Sequence, residues 1–240
     1  MKNVTLIIGG SGVLGSSLVK RLLKEYSSDD QIIVVDKNKF PSVDQRVKSI
    51  VFDLNSNNYN VFRDAITGLG IQSINKVIFM PGINYTDDLF ETDALKINSS
   101  YAVNTTSLIF IIKSLLDLLQ DNTSIVVTGS QNGIAAHSNR ISYSMSKAAL
   151  LMLLKNLTLD FSKLPNDIRI NGISPTYVYN EKNADFLDSF EGQKLKKRIP
   201  YEKFITVDEV IDIVMFLMSD LSKPLRGQNI ILDYGYSLVW

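Results

Sequence analysis

The chain has 240 residues, 45% of them hydrophobic and 21% charged, enough apolar material for one domain with a sizeable core. Its 25 basic and 25 acidic residues cancel, so no global charge draws it to nucleic acid or to an anionic membrane. The absence of cysteine excludes disulfides and thiolate metal sites, and a single histidine, His137, excludes a multi-histidine metal site and leaves a serine–histidine triad only through that residue.

In chain order, NVTLII (3–8) reads as a strand that runs through a cluster of glycines into a helix over 13–26. QIIVVD (31–36) and VKSIVF (47–52) are the next strands, followed by a helix over 57–69. NKVIFM (75–80) precedes a long helix over 88–119, and TSIVVTG (123–129) precedes a helix over 141–163. DIRINGI (167–173) is a strand, and 183–198 a helix. Thr206 then caps a helix over 206–219 with acids in its first turn, and QNIILD (228–233) closes the series. The strands are apolar almost without interruption, which indicates burial on both faces, as in a parallel sheet. Strand alternating with helix predicts an α/β fold: a single-domain doubly wound parallel sheet of about seven strands with helices on both faces, over 1–240. Residues 176–205 are the least regular long stretch and predict a lid over a site. The apolar run Val4 to Ile8 is too short for a signal peptide. Lys113, Asp117, Lys155 and Asn156 break the apolar windows near 108–119 and 148–159 below membrane-spanning length. A soluble, cytoplasmic protein is the expectation.

The turn after the first strand carries Gly9, Gly10, Ser11, Gly12, Val13, Leu14 and Gly15. It satisfies both Gly10-x-Gly12-x-x-Gly15 and Gly9-x-x-Gly12-x-x-Gly15, between a strand and a helix, the context a Rossmann-type dinucleotide turn requires. Glycines let the backbone turn tightly and let a pyrophosphate reach the unpaired amides of the helix N-terminus. Asp36 ends the second strand 21 residues after Gly15, where a carboxylate binds adenosine ribose hydroxyls and repels a 2′-phosphate. NAD(H) is therefore favoured, while Lys37 beside it softens the repulsion and leaves NADP(H) open. Asp53 and Leu54, in FDLN, are placed to meet adenine.

Tyr143-x-x-x-Lys147 sets a phenol and an ammonium about one helical turn apart on one face. Spacing alone permits two readings, the polar lip of a buried helix or a proton-transfer pair. The rest of the chain decides between them. With the glycine turn, Asn104 in YAVNTTS, Ser130 in VVTGSQNG, RINGISPTYV (169–178) and RGQNIILDYG (226–235), the sequence resembles a classical short-chain dehydrogenase/reductase over essentially its whole length. Ser130 precedes Tyr143 by 13 residues, as in that family.

The resemblance implies hydride transfer between an alcohol and a carbonyl, with Tyr143 as acid/base. Bringing a phenol from a pKa near 10 to near 7 takes about 4 kcal/mol of phenolate stabilisation. Lys147 is assigned part of it and holds the nicotinamide ribose. Ser130 hydrogen-bonds the substrate oxygen, and Asn104 steadies a water chain. Gly82, Pro175 and Val178 fall beside the cofactor. A small-molecule alcohol or carbonyl partner and a homodimer or homotetramer are also implied. Gln131, His137 and Tyr177, with Asn84, Tyr85 and Tyr179, are substrate-side candidates that hint at a polar or cyclic substrate, although ordinary surface or lid packing accounts for each equally well.

Val13, Met80, Thr176, Asn180 and Tyr234 depart from the family pattern; Asn180 stands where a threonine commonly meets the cofactor. Two rival functions share the fold: a non-catalytic dinucleotide sensor or scaffold, and a nucleotide-sugar epimerase or dehydratase. The complete Asn104–Ser130–Tyr143–Lys147 set argues against the first. The short stretch after ISP argues against the second.

Overall fold

The computed structural model describes residues 3–56 and 58–239. The apolar runs become strands β1 (Val4–Ile8), β2 (Gln31–Asp36), β3 (Val47–Val51), β4 (Ile74–Phe79), β5 (Leu119–Thr128) and β6 (Ile168–Pro175). Two short strands, β7 (Val178–Tyr179) and β8 (Ile205–Thr206), pair only with each other, and β9 (Asn229–Leu232) completes the main sheet. That sheet has seven strands in the order β3-β2-β1-β4-β5-β6-β9, each pair parallel. The order reverses between β1 and β4, which opens a crevice at the carboxyl ends of those strands.

The helices are α1 (Val13–Glu25), α2 (Tyr59–Gly68), α3 (Ala94–Tyr101), α4 (Ser107–Leu115) and α5 (Ile141–Phe161). The stretch 176–205, the expected lid, carries α6 (Ala184–Asp188) and α7 (Phe190–Lys196), and α8 (Val207–Met218) follows it. Along β1 the side chains divide between two cores: Leu6 and Ile8 pack with Phe62, Leu108, Leu150 and Leu154, whereas Ile7 packs with Leu18, Leu22, Val210 and Val214. Each such side chain, fully buried, contributes about 1.5–3 kcal/mol.

Several boundaries differ from expectation. The helix expected over 88–119 starts at Ala94, where the Asp93 carboxylate accepts from Lys96 N at 2.7 Å. Asp88 instead receives the amides of Phe90 and Glu91, both at 2.9 Å, in a separate turn. The helix is interrupted by a π-helical turn over Ala102–Thr106 and tightens to a 3-10 turn at Leu116–Leu118. By length and composition 94–118 could cross a membrane. Its buried Leu108, Ile111 and Leu115 pack on the sheet, so here it is a core helix. The helix expected over 183–198 breaks at Ser189, whose hydroxyl caps α7 by accepting from Gly192 N at 3.3 Å. A Cβ at Gly192 would fall 2.3 Å from the carbonyl oxygens of Phe186 and Leu187, so glycine permits the sharp turn. The helix expected over 57–69 is helical from Tyr59; Asn57 lies outside the described residues.

The lid has a tied base. β7 pairs with β8 across it, matching Val178 with Ile205 and Tyr179 with Thr206. Thr206 and Glu209 form a capping box at the start of α8, and the Tyr234 hydroxyl donates to the second oxygen of Glu209. Tyr234 holds a left-handed φ of 48°, which accounts for the glycine usual there in the family.

Candidate active site

The crevice between β1 and β4 is a cleft of about 390 Å³. Gly9, Ser11 and Gly12 line one wall, Asp36 and Asp53–Leu54 the far end, and Gly82 and Ile83 the end toward α5. Gly9 has φ +78°, and a Cβ there would sit 2.8 Å from Pro81 N, so only glycine lets the turn lie against the end of β4. Gly10 and Gly15 serve packing rather than the cleft: a Cβ on Gly10 would meet the Val34 side chain at 2.5 Å, and one on Gly15 would meet Gly10 Cα at 2.5 Å. Val13 and Leu14 form the first turn of α1 without lining the cleft.

Gly12, at the helix N-cap, offers no side-chain cap, and no acid follows in the first turn of α1. By contrast α3, α7 and α8 are capped by Asp93, Ser189 and Thr206. A Cβ at Gly12 would meet nothing closer than Gly9 O at 3.4 Å, so the open helix end faces free space. Amides left uncapped beside an open cleft suit a pyrophosphate. Asp36 is oriented by its neighbours, with Oδ2 accepting from Ser11 N at 3.0 Å and Oδ1 from Asn38 N at 3.2 Å. These residues fit a dinucleotide.

The predicted catalytic side chains converge beyond Gly82, whose added Cβ would lie 3.9 Å from Lys147 Nζ and 4.0 Å from Asn104 Oδ1. Asn104 sits in the π-helical turn and is fully buried. Its Oδ1 accepts from Ile83 N at 2.8 Å, while Nδ2 donates to Ile83 O at 3.0 Å and to Ser146 Oγ at 2.9 Å. One side chain thus joins the loop after β4 to α5. Ser146 Oγ in turn donates to Tyr143 O at 2.7 Å. Lys147 Nζ donates to Thr128 O at 2.8 Å and to Pro81 O at 3.4 Å, and lies 5.9 Å from the centroid of the Tyr143 ring. Ser130 is buried at the end of β5, its hydroxyl receiving Asn132 N at 3.1 Å.

Desolvation governs both titrating groups. Burial pushes the Tyr143 phenol up, against smaller opposing effects of the Ser130 hydroxyl and the Arg140 charge. Burial alone brings the Lys147 ammonium down to about 7. For the phenol, removal from water outweighs the lowering effects of Ser130 and Arg140.

On the substrate side, buried Gln131 accepts from Thr176 Oγ1 at 2.5 Å. His137 Nδ1 donates to Ser138 O at 2.9 Å, and Nε2 lies 3.1 Å from the Tyr177 hydroxyl. Tyr177 also packs edge-on against Phe204 and Tyr236. Tyr179 points into the lid instead, donating to Asp188 at 2.8 Å. Asn84 is exposed and Tyr85 half-buried. Pro175 and Val178 flank this region at the end of β6 and in β7, outside the cleft lining.

Other positions carry no sequence signal. Ile83 acts through its main chain. Gly133 lets the loop after β5 rest on α5, since its Cβ would fall 2.8 Å from the Lys147 carbonyl carbon. Asp87 accepts from Ser142 N at 3.2 Å and from Thr92 Oγ1 at 2.8 Å, capping α5 from 55 residues away where Arg140 offers no side-chain cap. Burial alone would raise this carboxyl, but the hydrogen bonds from Ser142 and Thr92 hold it below the usual carboxylate range.

The family model described as Enoyl-(Acyl carrier protein) reductase matches residues 59–237. L-xylulose reductase of Caenorhabditis elegans is 26% identical over 97% of this chain and 94% of its own length. Carbonyl reductase 2 (NADPH) of Sus scrofa is 33% identical over 114 residues, a match that spans 47% of this chain and only 46% of that enzyme. A solved short chain dehydrogenase family protein from Francisella tularensis superposes with a TM-score of 0.87 at 28% identity, over 99% of this chain and 100% of that one. Because the family model takes in more than half of the chain and the fold agrees from end to end, this chain belongs to the short-chain dehydrogenase/reductase family of NAD(P)-dependent oxidoreductases.

Proposed function

We propose that this protein interconverts an alcohol and a carbonyl on a small polar molecule, favours NAD(H), and uses Tyr143 as acid/base. The observation that carries the reading is the convergence of Asn104 and Lys147 on Gly82, at the end of an open cleft whose far end carries Asp36. Gly9, Ser11 and Gly12 would hold the pyrophosphate, Asp36 the adenosine ribose, Asp53 and Leu54 the adenine. Lys147, Gly82, Pro175 and Val178 would bound the nicotinamide end. The bound nicotinamide supplies or takes up the hydride and, when oxidised, brings a positive charge to the site.

In the alcohol-oxidising direction the Tyr143 oxygen takes the hydroxyl proton of the substrate; in the reducing direction it returns a proton to the carbonyl oxygen. Ser130 hydrogen-bonds the same oxygen. Lys147, held by two main-chain carbonyls, stands where a proton can pass from the phenol toward solvent. The Gln131–Thr176 and His137–Tyr177 pairs give the mouth a polar wall, which suits a polyol or sugar. Likeness to an L-xylulose reductase supports that choice. A cytoplasmic homodimer or homotetramer completes the proposal. A dinucleotide sensor would not need the acid/base set.

A panel of polyols, sugars and cyclic ketones, followed through NADH absorbance, tests the reading. Tyr143→Phe keeps the ring and its packing and is expected to retain NADH affinity while turnover falls about 10²–10⁴-fold. Near-normal turnover in that variant ends the mechanism.

A further inference from the structure

Among the described residues of the lid, one lines the cofactor cleft: Lys182. Asn180 stands where the resemblance places the family's lid contact, and its side chain is tied to its own turn. Its Nδ2 donates to Val178 O at 2.8 Å, and its Oδ1 accepts from Lys182 N at 3.0 Å. Asn183 tightens the same turn, accepting from Asn180 N at 2.9 Å and donating to Val178 O at 2.8 Å. A loop so tied fixes where Lys182 leaves the backbone, immediately above the β7–β8 base.

Lys182 has no carboxylate partner among the described residues, although Glu181 and Asp185 are neighbours in the chain. The same cleft holds the uncapped start of α1 at Gly12. Its carboxylate Asp36 already receives two main-chain amides. An ammonium without a carboxylate partner, in the same cleft as the positive end of the α1 dipole at Gly12, fits an anion. We propose that Lys182 supplies a lid contact by binding the cofactor pyrophosphate, so that cofactor charge draws the lid onto the cleft. This rests on the dinucleotide reading of the cleft.

The test is a binding measurement on the full chain, with no substrate present. Wild type, Lys182→Gln and Lys182→Arg are titrated with NADH, NADPH and ADP-ribose, which keeps the pyrophosphate but lacks nicotinamide. Lys182 is exposed, so the variants are expected to fold, and circular dichroism verifies this. Lys182→Gln should weaken NADH and ADP-ribose alike by about tenfold at low salt, with the difference shrinking as salt screens the charge. Lys182→Arg should hold both near wild type. Bound NADH should slow proteolysis within 180–204 in wild type and do so less in Lys182→Gln. Affinities within twofold of wild type in Lys182→Gln, or a loss confined to NADPH, overturn the assignment. If wild type binds none of the three ligands, the dinucleotide reading falls and takes this inference with it.

Discussion

Asp36 shows how much of the site is written residue by residue. Its carboxylate is aimed by the amides of Ser11 and Asn38 at the far end of the cleft, where the proposed function puts the adenosine ribose. We expect NADH to bind more tightly than NADPH and Asp36→Ala to narrow the gap by about tenfold, as like-charge repulsion of a 2′-phosphate is relieved. Nicotinamide fluorescence titration of both cofactors measures it; equal or reversed wild-type affinities refute the role of Asp36. Glycines, Asp36, Asn104, Ser130, Tyr143 and Lys147 were legible because their chemistry requires particular residue types at particular spacings. Ile83, Asp87 and Lys182 were not. Ile83 contributes only main-chain atoms, Asp87 caps a helix from far along the chain, and Lys182 gains its place from a turn closed by two asparagines. The balance of ionisation at Tyr143 and Lys147 was also hidden, because desolvation depends on what surrounds a group in space.

At the scale of elements, α5 carries apolar side chains on more than its core face. Leu150 and Leu154 face the core, yet Met145, Met152 and Leu159 on the same helix are 44%, 56% and 65% exposed. Phe110 on α4 is 42% exposed as well. A helix with apolar residues on both faces has a second face to cover, which the proposed homodimer or homotetramer would bury. We expect a dimer or tetramer in light scattering at micromolar concentration, and Met152→Glu to weaken it at least about tenfold by burying a charge. A wild-type monomer would sink this expectation. Leu238 and Val239 are exposed at the C-terminus as well; Trp240 lies outside the described residues. Element types were legible from apolar period, but their ends were less so. The helix expected from 88 starts at Ala94, because Asp88 closes a turn of its own and Asp93 takes the cap. The break at Ser189 was masked by a run of good helix formers, with Gly192 the one hint.

The whole molecule was the most legible level, since strand–helix alternation admits few topologies and the two-sided apolar strands place the sheet at the centre. What alternation does not reveal is the stability the protein gives up for its site. Lys147 titrates near 7 in the fold against 10.5 in the open chain. Between those values the unfolded chain binds the extra proton, so stability rises with pH there, and below 7 the penalty is present in full. Lys147→Met removes it: the variant should be more stable than wild type at pH 6 by an amount of order a few kcal/mol, with the gap narrowing toward pH 9. Lys76, also lowered by burial, has the same sign but is common to both proteins and drops out of the difference. Melting curves at pH 6 and pH 9 decide it, and a variant less stable than wild type at pH 6 contradicts the argument. If it holds, a variant that gains heat resistance at this position also loses the ammonium on which the proposed mechanism relies. A screen for heat resistance alone would then select against the lysine, and only a screen that also demands turnover would keep it.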